Sequence, residues 1–139
     1  MKKALVAGGA GFLGSHLCEY LLNANYEVWC MDNLQTGQLS NITPFEMNPL
    51  FHFIEQDVTS PVQWTISFDE IYNLASPASP ADFARIPVQI MQASGQGQQN
   101  LLELAKNTKA RILFASSSEV YGDAKEHPQS ESYWGHVDL

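Results

Sequence analysis

The stretch KALVAGGAGFLGSHL, residues 3–17, decides the fold of this chain. Its first five residues form a short, mostly apolar run, which predicts a β-strand. From Phe12 to about Asn23, apolar residues recur at the spacing of one helical face, which predicts a helix. The glycine-rich residues between them are therefore predicted to form a turn from a strand into a helix.

The glycines of this turn follow the spacing of a nucleotide-binding turn. Gly9, Gly11 and Gly14 satisfy the pattern Gly-x-Gly-x-x-Gly. Gly8, Gly11 and Gly14 satisfy a second pattern, Gly-x-x-Gly-x-x-Gly. Missing side chains let the turn be tight and let a pyrophosphate approach backbone N–H groups at a helix N-terminus, where the helix dipole favours anions. Such a turn alone is a weak indication, but its position between a strand and a helix predicts a dinucleotide ligand.

Four further apolar runs follow the first predicted helix, at residues 26–31, 50–56, 70–75 and 111–116, and one long helical stretch spans about 88–106. Strands that alternate with crossover connections predict a parallel sheet. We therefore expect an α/β fold, namely a Rossmann-type doubly wound parallel sheet in the order 3-2-1-4-5, incomplete at its C-terminal side.

Asp32 stands at the end of the second predicted strand, near the offset of about 20 residues at which a carboxylate binds the ribose. A carboxylate there accepts hydrogen bonds from both ribose hydroxyls and repels a 2′-phosphate. No arginine lies nearby in the sequence to offset that repulsion. The sequence therefore predicts NAD, rather than NADP, as the cofactor.

Composition and charge exclude several other kinds of function. The 139 residues carry a formal net charge of -8, which disfavours nucleic acid and membrane surfaces as partners. Cys18 and Cys30 lie in apolar stretches without metal-ligand spacing, so we expect buried reduced thiols, no metal site and a cytoplasmic protein. Glycines interrupt the apolar start, and we expect neither an export signal nor a membrane span.

Six motifs carry a family resemblance: AGGAGFLGSHL, MDNLQTG, QDV, YNLASPASP, NLLELAK and SSSEVYGD. Together they resemble the extended short-chain dehydrogenase/reductases, the NAD-dependent epimerase/dehydratase family, that act on nucleotide sugars. Within that family, NLASPASP and SSSEVYGDAKEHPQSESYWGHV look most like the UDP-glucuronate decarboxylases, also called UDP-xylose synthases. The dTDP-glucose 4,6-dehydratases share Glu-Val-Tyr-Gly-Asp with this chain but lack the HPQ and YWGHV elements.

The resemblance implies a role for each matching residue. The residues expected to hold the pyrophosphate are Gly8, Gly11, Phe12, Leu13 and Gly14. Those expected around the adenosine ribose are Asp32, Asn33, Thr36 and Gly37, and those that would flank the adenine are Asp57 and Val58. Leu74 and Ala75 would line the cofactor cleft, and Ala78 and Ser79 would lie nearer the sugar. Gly97 would let the long helix pack closely, and the role of Ser94 stays open because many relatives carry Asn there.

The resemblance places the catalytic residues just after the fifth predicted strand. Ser117 matches the family's catalytic Ser/Thr, which hydrogen-bonds the 4-hydroxyl of the sugar, and Ser118 and Glu119 match its neighbours in the active site. Their position agrees with this, because ligands of open α/β folds bind at the carboxyl ends of the strands. For Ser116 we expect turn chemistry instead.

Tyr121 and Lys125 imitate the family's catalytic Tyr-x-x-x-Lys pair. That pair works because one helical turn places the ammonium beside the phenol. Here Gly122 and Asp123, both poor helix formers, stand between the two residues. We therefore expect Tyr121 to be structural, and the working pair of relatives lies on a later helix.

Residues 1–139 are thus expected to form an NAD-binding domain that ends before the catalytic Tyr-x-x-x-Lys helix and the substrate domain. In a complete relative, the implied reaction oxidises UDP-glucuronate at C4, loses carbon dioxide and returns the hydride, and full-length relatives are expected to be homodimers. The chain as given is expected to be inactive. Alternatives are the reaction of a dTDP-glucose 4,6-dehydratase or a nucleotide-sugar epimerase, or a non-catalytic NAD-binding module.

Overall fold

A five-stranded parallel sheet lies at the centre of the structure, a computed structural model that describes residues 1–61, 64 and 66–137. Its strands are β1 (Lys3–Ala7), β2 (Glu27–Asp32), β3 (Phe51–Glu55), β4 (Glu70–Asn73) and β5 (Arg111–Phe114). They lie in the order β3-β2-β1-β4-β5, which confirms the predicted topology. Residues 138 and 139, the end of the predicted domain, lie outside the described residues.

The helices are α1 (Phe12–Asn23), α2 (Pro80–Arg85), α3 (Pro87–Gln92) and α4 (Gln98–Thr108). The predicted bounds of α1 are confirmed, and so is the long helical stretch predicted over about 88–106, because a π-helical segment, Ala93–Gly97, joins α3 to α4 without a break in the helix. Helix α2 was not predicted, because its six residues are too few for an apolar periodicity to emerge. Among the described helices, none has both the length and the apolar character that crossing a bilayer requires.

The two faces of the sheet bury two separate apolar clusters. Because successive side chains of a strand point to opposite faces, Ala4 and Val6 pack on the α1 side while Leu5 and Ala7 pack on the α4 side. This double burial explains why β1 reads as a continuous apolar run instead of an alternating one. It holds the carboxyl end of β1, from which the glycine turn begins, at the centre of the sheet.

Both cysteines lie in the cluster on the α1 side. Cys18 and Cys30 are fully buried and not in a disulfide, which confirms the predicted buried thiols. The contact with Cys18, together with burial, raises the pKa of the Cys30 thiol, so Cys30 acts as a small apolar side chain.

Candidate cofactor-binding site

A cavity of about 470 Å³ opens at the carboxyl ends of the strands. The β1–α1 turn, the loops after β2, β3 and β4, the residues after β5, and α3 form its walls. The chain runs from β1 to β2 and β3 on one side and then crosses to β4 and β5 on the other. Ligands of open α/β sheets bind where the strand order reverses in this way.

Residues predicted to bind the cofactor all line this cavity: Gly8, Gly11, Phe12, Leu13, Gly14, Asp32, Asn33, Thr36, Gly37, Asp57, Val58, Leu74 and Ala75. Ala78, predicted near the sugar, lines it as well. Ser79, Ser117, Ser118 and Glu119 are not among the lining residues. The fold therefore gathers the predicted cofactor set into one cavity and leaves the predicted catalytic set at its border.

Several lining residues were not predicted from the sequence. Most of them directly adjoin predicted ones, as Met31 and Thr59 do, and the ends of the predicted strands could have indicated them. Gln89 and Gln92 are different, because α3 brings them to the cavity from a separate part of the chain. No pattern in the sequence indicates that placement.

The glycine turn fits closely against its surroundings. Gly8 has a φ of +78, and a Cβ there would lie 2.8 Å from the carbonyl carbon of Leu74. A Cβ on Gly14 would overlap the carbonyl oxygen of Gly8. The missing side chains thus let β1 turn at once into α1 and let the loop after β4 lie directly against the turn.

The N-terminus of α1 leaves hydrogen-bond donors at the cavity. The N–H groups of the first helical turn, from Phe12 to Gly14, have no intrahelical acceptors. Among the described residues, no side chain caps this helix, and its first turn contains no acidic residue. An anionic group in the cavity would supply the missing acceptors and would meet the positive end of the helix dipole. These features fit a pyrophosphate.

The Asp32 carboxylate is held in place by backbone groups. It is 8% exposed, and its two oxygens accept hydrogen bonds from the N–H groups of Ala10 at 3.0 Å and Leu34 at 2.9 Å. Gly37 packs so closely that a Cβ there would lie 2.8 Å from Asp32 Oδ1. Each carboxylate oxygen keeps a further lone pair, which can accept a ribose hydroxyl.

Asp57 links the loops that follow β2 and β3. It accepts hydrogen bonds from the Thr59 backbone N–H at 2.8 Å, the Thr59 hydroxyl at 2.7 Å and the Asn33 side-chain amide at 2.7 Å. Burial raises the pKa of the Asp57 carboxyl, but these three donors outweigh burial and leave its pKa below the ordinary value. Asp57 is therefore a charged carboxylate that connects the loop predicted to hold the ribose with the loop predicted to hold the adenine.

The charges of the cavity favour NAD over NADP. The lining residues that the structure describes include Asp32 and Asp57 but neither Lys, Arg nor His. A ribose 2′-phosphate would lie beside the Asp32 carboxylate without a cation to offset the repulsion. Backbone N–H groups and the dipole of α1 remain to hold a pyrophosphate.

Ser117, rather than Ser116, makes the local turn contact that we expected of Ser116. Ser117 Oγ accepts a hydrogen bond from the Glu119 N–H at 3.2 Å and caps the 3₁₀ turn Ser118–Tyr121, whereas Ser116 lines the cavity. The expected turn chemistry at Ser116 is thus wrong, because the capping side chain belongs to the residue directly before the turn. The Ser117 hydroxyl proton stays free to donate to a ligand.

As predicted, no helix joins Tyr121 to Lys125. The 3₁₀ turn ends at Tyr121, and Gly122 has a φ of +60. The Tyr121 ring stacks on the Tyr133 ring with centroids 5.9 Å apart, and the Lys125 backbone N–H donates to the Tyr133 hydroxyl at 3.0 Å. Both residues therefore help to hold the segment after β5 in place.

Comparisons with known proteins agree with this site. UDP-glucuronic acid decarboxylase 1 of Xenopus tropicalis is 46% identical over 136 residues, which are 98% of this chain and 32% of the relative. UDP-glucose 4-epimerase of Thermus thermophilus, in complex with NAD, has a TM-score of 0.75 and 28% identity over 96% of this chain and 43% of that one. UDP-glucose 4-epimerase of Thermotoga maritima, with UDP-glucose, has a TM-score of 0.79 and 28% identity over 96% and 44%.

The chain spans about a third of the length of the curated decarboxylase that it matches. The profile of the family described as GDP-mannose 4,6 dehydratase matches residues 5–135, which is nearly all of the chain. The glycine turn, Asp32 and the five parallel strands all lie within that match or directly at its start. The chain therefore belongs to the GDP-mannose 4,6 dehydratase family, within the extended short-chain dehydrogenase/reductases.

Proposed function

We propose that residues 1–139 are the NAD-binding part of an enzyme that modifies a nucleotide sugar. The observation that carries this proposal is the uncapped N-terminus of α1, which shares a cavity with the buried Asp32 carboxylate. The α1 N–H groups would bind the pyrophosphate, Asp32 the ribose hydroxyls, and the Asp57 side of the cavity the adenine. NAD supplies a hydride acceptor that later returns the hydride.

We further propose that the complete protein converts UDP-glucuronate to UDP-xylose. The identity of 46% to a UDP-glucuronic acid decarboxylase supports this substrate. Ser117 would hydrogen-bond the 4-hydroxyl of the sugar, with Ser118 and Glu119 beside it, while Ala78 and Ser79 would border the sugar. Oxidation at C4 also needs a base for the hydroxyl proton, and we propose that this base lies on a helix C-terminal to the described residues.

An epimerase is the second candidate, because two similar solved structures are UDP-glucose 4-epimerases. The two candidates differ in whether the carbon skeleton changes. Incubation of the complete enzyme and NAD with UDP-glucuronate and, separately, with UDP-glucose distinguishes them. We expect UDP-xylose and carbon dioxide from UDP-glucuronate. Formation of UDP-galactose from UDP-glucose, with no carbon dioxide released from UDP-glucuronate, would favour the epimerase.

Titration calorimetry of this chain with NAD and NADP tests the cofactor assignment. We expect saturable binding of NAD and clearly weaker binding of NADP, because the 2′-phosphate of NADP would lie beside the Asp32 carboxylate. Equal affinities, or a preference for NADP, would contradict the assignment.

We also propose that the complete protein is a cytoplasmic homodimer. Val88, Met91 and Leu102 are 55%, 68% and 46% exposed on α3 and α4, which supports an interface on these helices. The buried free thiols fit a reducing compartment. Light scattering after size exclusion would give the mass of a dimer, and replacing Met91 and Leu102 by Lys should shift it to a monomer.

A further inference from the structure

The start of α4 is attached to two different walls of the cavity. The Asn100 side-chain amide donates to the carbonyl oxygens of Val58 at 2.9 Å and Ser60 at 3.1 Å, in the loop after β3. Gln98 Oε1 accepts a hydrogen bond from Asn73 Nδ2 at 2.6 Å, at the end of β4. Two side chains within one helical turn therefore hold the loops on opposite sides of β1.

The Asn73 amide depends on Gln98 for its orientation. Asn73 is only 2% exposed, and its Oδ1 accepts a hydrogen bond from the Ala75 N–H at 3.1 Å. If position 98 had no acceptor, the Asn73 NH₂ group would stay buried without a partner, which is costly. Rotation of the amide would not help, because it would turn the NH₂ group towards the Ala75 N–H.

The loop that Asn73 orients lies directly against the glycine turn. The Leu74 N–H donates to the Ala7 carbonyl oxygen at 2.9 Å, and the Leu74 backbone borders Gly8 so closely that a Cβ there would not fit. Leu74 and Ala75 both line the cavity on the β4 side. Asp32 and Asp57 lie on the other side of β1, after β2 and β3.

A dinucleotide that places its adenosine near Asp32 and Asp57 and its pyrophosphate at α1 extends its other half over β4. We propose that Gln98 is a positioning residue for that half: through Asn73 it holds the Leu74–Ala75 wall at the distance that the nicotinamide riboside requires. Asn100 has the corresponding role at the adenine end. This inference rests on the proposed binding of NAD.

The test compares NAD with AMP, which occupies only the adenosine end of the cavity. Calorimetry would give both dissociation constants for the wild type, Gln98→Met, Gln98→Glu and Gln99→Met. Gln98→Met keeps the side-chain length but removes the acceptor, and Gln98→Glu keeps an acceptor oxygen. Gln99→Met is the matched control, because the Gln99 side chain bonds only with Glu103 among the described residues.

We expect Gln98→Met to weaken NAD binding by about five- to tenfold, the usual effect of one lost buried hydrogen bond. AMP binding should stay within about twofold, and both Gln98→Glu and Gln99→Met should match the wild type for both ligands. The inference would be overturned if Gln98→Met lost as much affinity for AMP as for NAD, or lost no affinity for NAD. It would also be overturned if Gln98→Glu lost as much affinity for NAD as Gln98→Met does. A wild-type chain that binds AMP but not NAD would instead overturn the proposed function.

Discussion

At the scale of single residues, the Asp32 carboxylate combines a structural role with the ribose-binding role that we propose. Its oxygens accept hydrogen bonds from the N–H groups of Ala10 and Leu34, so it ties the glycine turn to the loop after β2 before any ligand arrives. The same bonds orient its remaining lone pairs. A pre-oriented acceptor binds ribose hydroxyls without the entropy cost of ordering a free side chain.

Replacing Asp32 should therefore alter both affinity and cofactor choice. We expect Asp32→Ala to weaken NAD binding at least tenfold or so, since it removes charge-assisted bonds to the ribose, and to narrow the preference for NAD over NADP. Calorimetry with both cofactors measures the two effects. Asp123→Ala, at an exposed site, is the control and should change neither value by more than about twofold. An unchanged preference in Asp32→Ala would contradict this role.

Asp57 should make the stability of the chain sensitive to acid. Its folded-state pKa is lowered, so its contribution is fully present above the unfolded pKa of about 3.9 and is lost as the pH falls through the folded value. Thermal melts at pH 7 and at closely spaced values from about 5 down to about 2.5 would follow this loss. We expect Asp57→Asn to melt lower than the wild type at pH 7 and to lose less further stability on acidification. The same dependence of the melting temperature on pH in both proteins, or a steeper one in Asp57→Asn, would contradict the stabilising role of the Asp57 carboxylate.

At the scale of elements, the glycine turn and the π-helical segment use glycine differently. Gly14 has the backbone of Gly8 against the place where a Cβ would stand, whereas a Cβ on Gly95 would meet nothing within 4 Å. Gly97 stands between these cases, since its Cβ would lie 2.6 Å from Val58 Cγ1. The close packing predicted at Gly97 is therefore confirmed.

Gly14→Ala and Gly95→Ala form a matched pair of variants. We expect Gly14→Ala to lower the melting temperature strongly and to abolish NAD binding, because the added methyl group overlaps the Gly8 carbonyl oxygen. Gly95→Ala should be neutral or stabilising by up to about 1 kcal/mol, because it reduces the entropy of the unfolded chain without a clash. Melting curves and NAD titrations measure both. Similar effects at the two positions would show that the clash does not govern the turn.

The 3₁₀ turn after β5 contains Tyr121, whose packing leads to a separate prediction. Its ring stacks on the Tyr133 ring, which is a packing role that does not need the Tyr121 hydroxyl. We expect Tyr121→Phe to retain most of the turnover in the complete enzyme, whereas loss of a catalytic base costs about 10² to 10⁴-fold. Tyr121→Ala, which removes the stacked ring, should lower the melting temperature. A collapse of the rate in a folded Tyr121→Phe enzyme would show that Tyr121 is catalytic.

At the scale of the whole molecule, the segment in and after β5 is exposed. Ser117, Ser118 and Glu119 lie on an exposed turn, and Leu113 and Phe114 of the edge strand β5 are 50% and 49% exposed. The residues proposed to bind the adenosine and the pyrophosphate, by contrast, line the cavity. We therefore expect cofactor binding and sugar chemistry to be separable in this chain.

We accordingly expect residues 1–139 to bind NAD without decarboxylating UDP-glucuronate. Removal of a hydride from C4 requires a base for the hydroxyl proton, and Tyr121 and Lys125 are not joined by a helix. The purified chain would be incubated with UDP-glucuronate and NAD, and UDP-xylose would be followed by chromatography. The complete enzyme is the positive control. Multiple turnovers by this chain, abolished in Tyr121→Phe, would contradict both this prediction and the structural role of Tyr121.

The sequence by itself determined the strand, glycine turn and helix at residues 3–23, the five parallel strands and the place of Asp32. These features follow from local patterns: side chains alternate along a strand, recur along a helix, and are absent where a turn is tight. The predicted cofactor residues line one cavity because they follow strand ends, which parallel topology gathers at one edge of the sheet.

Only the tertiary structure decided which distant polar groups meet. The Asn33 bond to Asp57 spans 24 positions and the Asn73 bond to Gln98 spans 25, and no periodicity encodes either one. The placement of Gln89 and Gln92 at the cavity depends likewise on where α3 lies in the fold. Local patterns specify what a residue's neighbours along the chain can form, whereas hydrogen bonds between distant parts of the chain exist only after the core has brought those parts together.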